Sequence, residues 1–139
     1  LDTMKLNNSN TFEVEESIRE FLKNNHDKTD IVICTTLQQT QSVSQIAVDM
    51  NYVGDFIIIG SYQNDSVLEY LSSGVISANI VIDAAQMGRR AVENLAEYLE
   101  YGHTSDYSQV DVHTLEQKDA IRQLNALPKE TESETGKGA

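Results

Sequence analysis

Apolar residues recur along this chain with two alternating periods. Val14, Ile18, Phe21 and Leu22 share one helical face, with Glu15, Glu16, Arg19 and Glu20 outside it. Asn10 with Glu13 forms a capping box at the start of that helix. Asp30-Ile31-Val32-Ile33-Cys34-Thr35 is a short β-branched run and predicts a buried strand. Val43, Ile46, Ala47 and Met50 then follow i, i+3, i+4, i+7 spacing and predict a second helix. Gly54-Asp55 turns the chain into the apolar run 56–59, which closes on Gly60. Asn64 or Asp65 caps a short helix with Val67, Leu68 and Leu71 inward and Gly74 as its stop. A strand over 75–82 follows. Asp83 with Gln86 caps a long helix that runs to about Tyr101, with Gly102 as a left-handed stop. Weaker strand signals lie at residues 1–6 and 109–115.

Strands alternating with helices predict an α/β fold, a parallel sheet flanked by helices in three layers with right-handed crossovers. Ile31, Ile33, Ile57, Ile59 and Ile80 are its expected core. In such a sheet ligands meet the loops at the carboxyl ends of the strands, beside helix amino termini. The stretch 56–95, where a buried strand stops at glycine and opens into a loop, is the most informative part of the chain.

Length and composition bound the rest. A chain of 139 residues, 40% apolar and 23% charged, is one domain's worth of ordinary globular sequence. A net charge of −12 argues against binding a nucleic-acid backbone or an anionic membrane. The single cysteine, Cys34, allows no intrachain disulfide. The chain starts at Leu1 without a methionine or a signal peptide and is read as a fragment or processed product. Residues 119–139 are expected to form an extension to a domain over 1–118, disordered after Pro128, where large apolar residues end.

Catalytic chemistry is not readable. His26, His103 and His113 share no metal-ligand spacing, and Cys34 within a strand reads as a packed, inert thiol. Asp83 reads as a cap, and Arg89 and Arg90 as a solvated face. Glycine-rich phosphate loops are missing, and no Ser-His-Asp or Cys-His set is present. No catalytic residue, metal or cofactor is assigned. A phosphate-accepting receiver domain is rejected, because its acidic strand ends are here Thr35-Thr36 and Gly60-Ser61.

The ordered set of pieces carries a resemblance. A helix over 14–22, a strand over 30–36, a helix over 43–50 and a strand closing on Gly60 come first. A short helix, Ser73-Gly74, a strand over 77–82, and Met87-Gly88 before Ala91-Val92 follow. Residues 11 to about 118 thereby resemble the second lobe of a type I periplasmic binding protein, the fold shared with ligand domains of the lactose-repressor family. That resemblance implies a piece of a larger solute-binding protein, lacking the first lobe and the start of the second. It implies a small polar solute, carbohydrate or similar, held in a cleft between lobes, with no enzymatic activity. It also implies an extracytoplasmic place, periplasmic or lipid-anchored, and a membrane permease or sensor as partner.

Three places in this half contribute to the family's cleft, so the resemblance points to Thr35, Thr36, Gln38, Tyr62, Gln63, Ile82 and Asp83. Each place departs from the sugar-binding pattern. Thr35-Thr36-Leu37-Gln38 replaces an Asn-Asp turn, Tyr62 stands where an Asp grips two hydroxyls, and Ile82 stands for a Gln. The alternatives are the effector domain of a lactose-repressor-type transcription regulator and an enzyme on a flavodoxin-like sheet. The long helix carries two apolar rows, Met87-Ala91-Leu95-Leu99 and Ala84-Gly88-Val92-Ala96. So wide a stripe is expected to fold back on its own sheet or to pair with a second copy, the latter being favoured.

Overall fold

Four of the helices begin where a side chain takes up one of the first free amides. The structure, a computed structural model, describes Met4 and residues 10–126. The expected strand over 1–6, apart from Met4, and the tail beyond Pro128 lie outside those residues. Asn10 caps α1 (Thr11–Asn25) by accepting from the Phe12 amide, and Thr36 caps α2 (Leu37–Asp49) through the Gln39 amide. Asn64 caps α3 (Asp65–Ser72) and Asp83 caps α4 (Ala84–Tyr101) in the same way. Gly102, at φ 74°, ends α4 in the left-handed conformation that a Cβ would disfavour. A final helix, α5, spans Gln117–Ala126. No helix among the described residues is long and apolar enough to cross a membrane.

The sheet runs β1 (Ile31–Ile33), β2 (Ile57–Ser61), β3 (Ala78–Ile82), β4 (Val112–Leu115), in that spatial order. β1, β2 and β3 are parallel, with Ile33 beside Ile59 and Ile59 beside Ala78. β4 is antiparallel to β3, pairing Ile82 with Val112 and Asn79 with Leu115. The α/β class therefore stands, while the sheet is mixed. The reason lies in the connection. Helices α2 and α3 carry the chain back to the starting edge, so the next strand is parallel. By contrast, α4 leaves from the carboxyl edge and the chain re-enters at that same edge, so β4 must run the other way.

One core unites the helices and one face of the sheet. Val14, Ile18 and Leu22 of α1, Val43, Ile46 and Ala47 of α2, and Val67, Leu68 and Leu71 of α3 are buried there. Cys34, Phe56, Ile58, Ile76, Leu115 and Ala120 complete it. Each large apolar side chain so buried contributes about 1.5–3 kcal/mol. Residues 119–126, read from sequence as the start of an extension, continue α5 and pack on α3, with Ala120 fully buried and Leu124 against the core.

The expected core residues are largely on the other face. Ile31, Ile33 and Ile57 are 52%, 60% and 47% exposed, and Ile59 and Ile80 are half-buried. Strand side chains alternate, and both faces of β1 and β2 are apolar, so the pattern could not choose between them. The helices took the Val32, Cys34, Ile58, Gly60 side. Among the described residues no element covers the opposite face.

Candidate functional site

Parallel strands put their carboxyl ends on one edge, and here that edge gathers every residue picked out from sequence. Thr35 and Thr36 follow β1, Tyr62 and Gln63 follow β2, and Ile82-Asp83 closes β3. Neighbouring strands lie about 4.8 Å apart, so the three loops sit within about 10 Å of one another. Gln38 is in the first turn of α2.

The side chains differ in how free they are. Thr35 is exposed, but its amide and hydroxyl both donate to Gln39 Oε1, each at 3.1 Å. Thr36 Oγ1 is occupied as the α2 cap, accepting from the Gln39 amide at 3.2 Å. Gln38 turns aside to donate to Thr11 Oγ1 at 3.3 Å, and Gln63 donates to Gln123 Oε1 at 2.9 Å. Ile82 is half-buried and paired with Val112. Asp83 Oδ1 accepts from the Gln86 amide at 2.8 Å, so the one carboxylate of the set serves the α4 cap. Gln86 does not complete the expected capping box. Its side-chain amide instead bonds Asp111, donating to Oδ2 at 2.9 Å and accepting from the backbone amide at 2.6 Å.

Tyr62 stands apart. The residue is 43% exposed, and its φ of 66° is a left-handed conformation rare for an aromatic residue. Such a conformation costs of order 1–3 kcal/mol and persists only where the surroundings hold it. The surroundings are visible. The Tyr62 amide donates to Ile80 O at 2.9 Å, and its carbonyl accepts from Asn79 Nδ2. Thr40 Oγ1 accepts from the Ser61 amide at 3.0 Å, and its one proton is shared between Thr36 O at 2.9 Å and Ser61 O at 3.2 Å. Ser61 Oγ donates to Cys34 O at 2.6 Å, tying β2 to β1. Thr40 and Asn79 are both fully buried.

Gly60 makes this clamp possible. A Cβ there would lie 2.4 Å from Asn79 Oδ1 and 2.6 Å from Thr40 Cγ2. Among the described residues Asn79 Oδ1 has no hydrogen-bond partner, a cost accepted for the bond that its amide makes to Tyr62. Sequence reasoning missed Thr40 and Asn79. The available signal was Asn79, the one polar residue of the apolar strand 78–82, which the structure pairs with Gly60.

Cys34 takes no part in chemistry at this edge. Burial pushes its thiol up to about 12, against a smaller lowering by its hydrogen bond with Thr40. Among the described residues no group of three or more His, Cys, Asp or Glu side chains could hold a metal ion.

Two open grooves occur among the described residues. An open groove of about 350 Å³ runs between α1, α2 and α3, lined by polar side chains including Gln38, Gln45 and Tyr70. Another of about 320 Å³ opens at the opposite, amino-terminal edge, near Asp30, Asp55 and Ser77.

No family model and no curated protein matches this chain. Solved structures do match. A chain of the XylFII-LytSN complex superposes with a TM-score of 0.68 at 28% identity, over 80% of this chain and 38% of that one. The glucose-galactose binding protein GanP from Geobacillus stearothermophilus gives 0.68 at 20% identity, over 80% and 39%. An ABC transporter solute binding protein from Agrobacterium vitis with bound D-fucose gives 0.73 at 17% identity, over 85% and 40%. The chain has the type I periplasmic-binding-protein fold, in part. It spans about two fifths of the length of the structures it matches.

Proposed function

We propose that this chain is the ligand-binding second lobe of an extracytoplasmic solute-binding protein, taking a small neutral carbohydrate at the carboxyl edge of its sheet. The observation that carries the reading is Tyr62. A strained, half-exposed aromatic ring is clamped by buried Thr40 and Asn79 at the edge where such sheets receive ligands. Tyrosine offers an apolar ring face for stacking and a hydroxyl for one hydrogen bond, which suits the apolar face and hydroxyl rim of a sugar. Thr35 and Gln63, exposed though bonded to Gln39 and Gln123, are neutral, and the one carboxylate of the set, Asp83, is engaged as a cap. A neutral solute fits that chemistry better than a cation.

The matched proteins support the solute class: one is named a glucose-galactose binding protein, and others hold D-fucose or D-allose. A transporter permease or a membrane sensor as downstream partner is part of the same proposal. The names of an ABC transporter solute binding protein and of a complex between XylFII and LytSN favour it.

The test is a titration of the isotopically labelled chain with glucose, galactose, D-fucose and D-allose, followed by amide NMR. The expected response is confined to Thr35, Thr36, Ser61, Tyr62 and Gln63, and weakens in Tyr62→Ala. A response centred on Asp30, Asp55 and Ser77 at the other edge, or none with any sugar, overturns the reading.

A further inference from the structure

The conformation of Tyr62 is the angle at which two rigid peptide planes meet at its Cα. The plane before it is held at both ends. Its carbonyl, Ser61 O, accepts from Thr40 Oγ1 at 3.2 Å, and its amide, that of Tyr62, donates to Ile80 O at 2.9 Å. The plane after it carries a single bond among the described residues, from Asn79 Nδ2 to Tyr62 O. Asn79 is therefore the residue on which the left-handed φ of 66° depends most.

Three features converge on that bond, and each works against stability. Asn79 is the one polar residue of β3, and asparagine is a poor strand former. It is fully buried, with Oδ1 unpaired among the described residues. Its neighbour in β2 is Gly60, whose missing Cβ leaves room for Oδ1 and whose place inside a strand weakens that strand. Departures of this kind from local preference are expected where a site has to be held rather than where a scaffold is built.

We propose that Asn79 is a positioning residue for the ligand edge, which touches no ligand and sets affinity by holding Tyr62 left-handed from inside the lobe. Its effect on sugars rests on the ligand reading above; its effect on Tyr62 does not. The amide of asparagine suits the task, because it brings a donor without a charge. An ionised aspartate in that buried place would turn an acceptor on the Tyr62 carbonyl. Without the bond, Tyr62 O belongs to a residue 43% exposed and can turn to water, and the strain of the positive φ drives it there. The left-handed state then becomes a minor one, and apparent affinity falls by the fraction of chains that still hold it.

The test uses the full isotopically labelled chain with two substitutions. Asn79→Leu puts methyl groups on the same branched frame in place of Oδ1 and Nδ2. Asn79→Ala removes both atoms and keeps the test open should the larger side chain not fit. A residue at positive φ gives a strong Overhauser effect between its own amide and Hα protons, which lie close together there. Wild type should show it at Tyr62, and the variants should lose it while the amides of α1 and α3 keep their shifts. The sugar response at Ser61 and Gln63 should weaken about tenfold in Asn79→Leu. In a Tyr62→Ala background Asn79→Leu should weaken it no further, because a residue that acts only through Tyr62 has nothing left to act on.

A Tyr62 that keeps its Overhauser effect in Asn79→Ala overturns the proposal. A further tenfold loss in the Tyr62→Ala background overturns it as well, since a general structural role weakens both backgrounds alike. A wild type silent to all four sugars removes the ligand reading, and the Overhauser comparison alone then upholds or overturns the hold of Asn79 on Tyr62.

Discussion

Helices α1 and α4 are made of similar material and meet opposite fates. Both are capped by an Asx side chain, and both carry an apolar stripe beside acidic residues. The stripe of α1 is almost wholly buried, whereas that of α4 is in solvent. The difference is in connection rather than composition. α1 joins a strand whose crossover returns across the sheet, while α4 is anchored at the carboxyl edge and projects beyond it. An amphipathic pattern thus specifies that a face will be covered, and the chain path decides by what.

The sharpest way to break this contrast is to truncate one apolar side chain in each region. Leu71→Ala, in the body, should cost about 2–5 kcal/mol in urea unfolding, because it opens a cavity at a fully buried site. Leu99→Ala, in the arm, should change the stability of dilute monomer by less than about 0.5 kcal/mol. Equal losses would mean that α4 packs on its own sheet after all.

Two glycines sharpen the same comparison. Gly60→Ala must displace Asn79 or Thr40 and should cost about 1–3 kcal/mol. Gly88→Ala, in α4, meets nothing within 4 Å and has ordinary backbone angles, so it should stabilise the helix by about 0.5–1 kcal/mol. Thermal melts of the pair should move in opposite directions; a drop for Gly88→Ala would reveal a hidden neighbour.

Cys34 gives the body a pH dependence. Its folded pKa lies above its ordinary value of 9.0, so the stability it contributes is complete below pH 9.0 and is lost as pH rises towards about 12. Wild type should therefore lose more stability than Cys34→Ala between pH 8 and pH 10.5, at about 1.4 kcal/mol for each unit above the ordinary value. Parallel losses in the two proteins would show that the thiol is not protected by burial.

The smallest effect is expected at the edge where body and arm meet. Tyr62→Gly relieves the positive φ but adds backbone freedom to the unfolded chain, so stability should stay within about 0.5 kcal/mol. The sugar response at Ser61 and Gln63 should nevertheless weaken. A large destabilisation would assign the ring a packing role instead of an exposed, ligand-facing one.

The helices were legible because their signals are local. Asn10, Asn64, Asp83 and Gly102 mark ends through bonds or angles within a few residues, and the structure keeps each of them. The candidate loops were legible as a set, since three parallel strands can only end on one edge. The clamp on Tyr62 was not. It depends on Thr40 and Asn79 arriving from two other elements, 22 and 17 residues away, over a glycine whose meaning is the space around it.

By itself the sequence determined the α/β class, the order of elements as far as β4, where α1, α3 and α4 begin and where α3 and α4 stop, because periodicity and caps act over one or two turns; the start of α2 at Leu37 and the whole of α5 were not read from it. Tertiary structure alone decided which face of the sheet the helices took, since β1 and β2 are apolar on both sides. It alone turned β4 antiparallel, because the connection through α4 never crosses the sheet. It also left α4 without cover, a matter of where the chain path carries a helix whose own pattern matches that of a buried one.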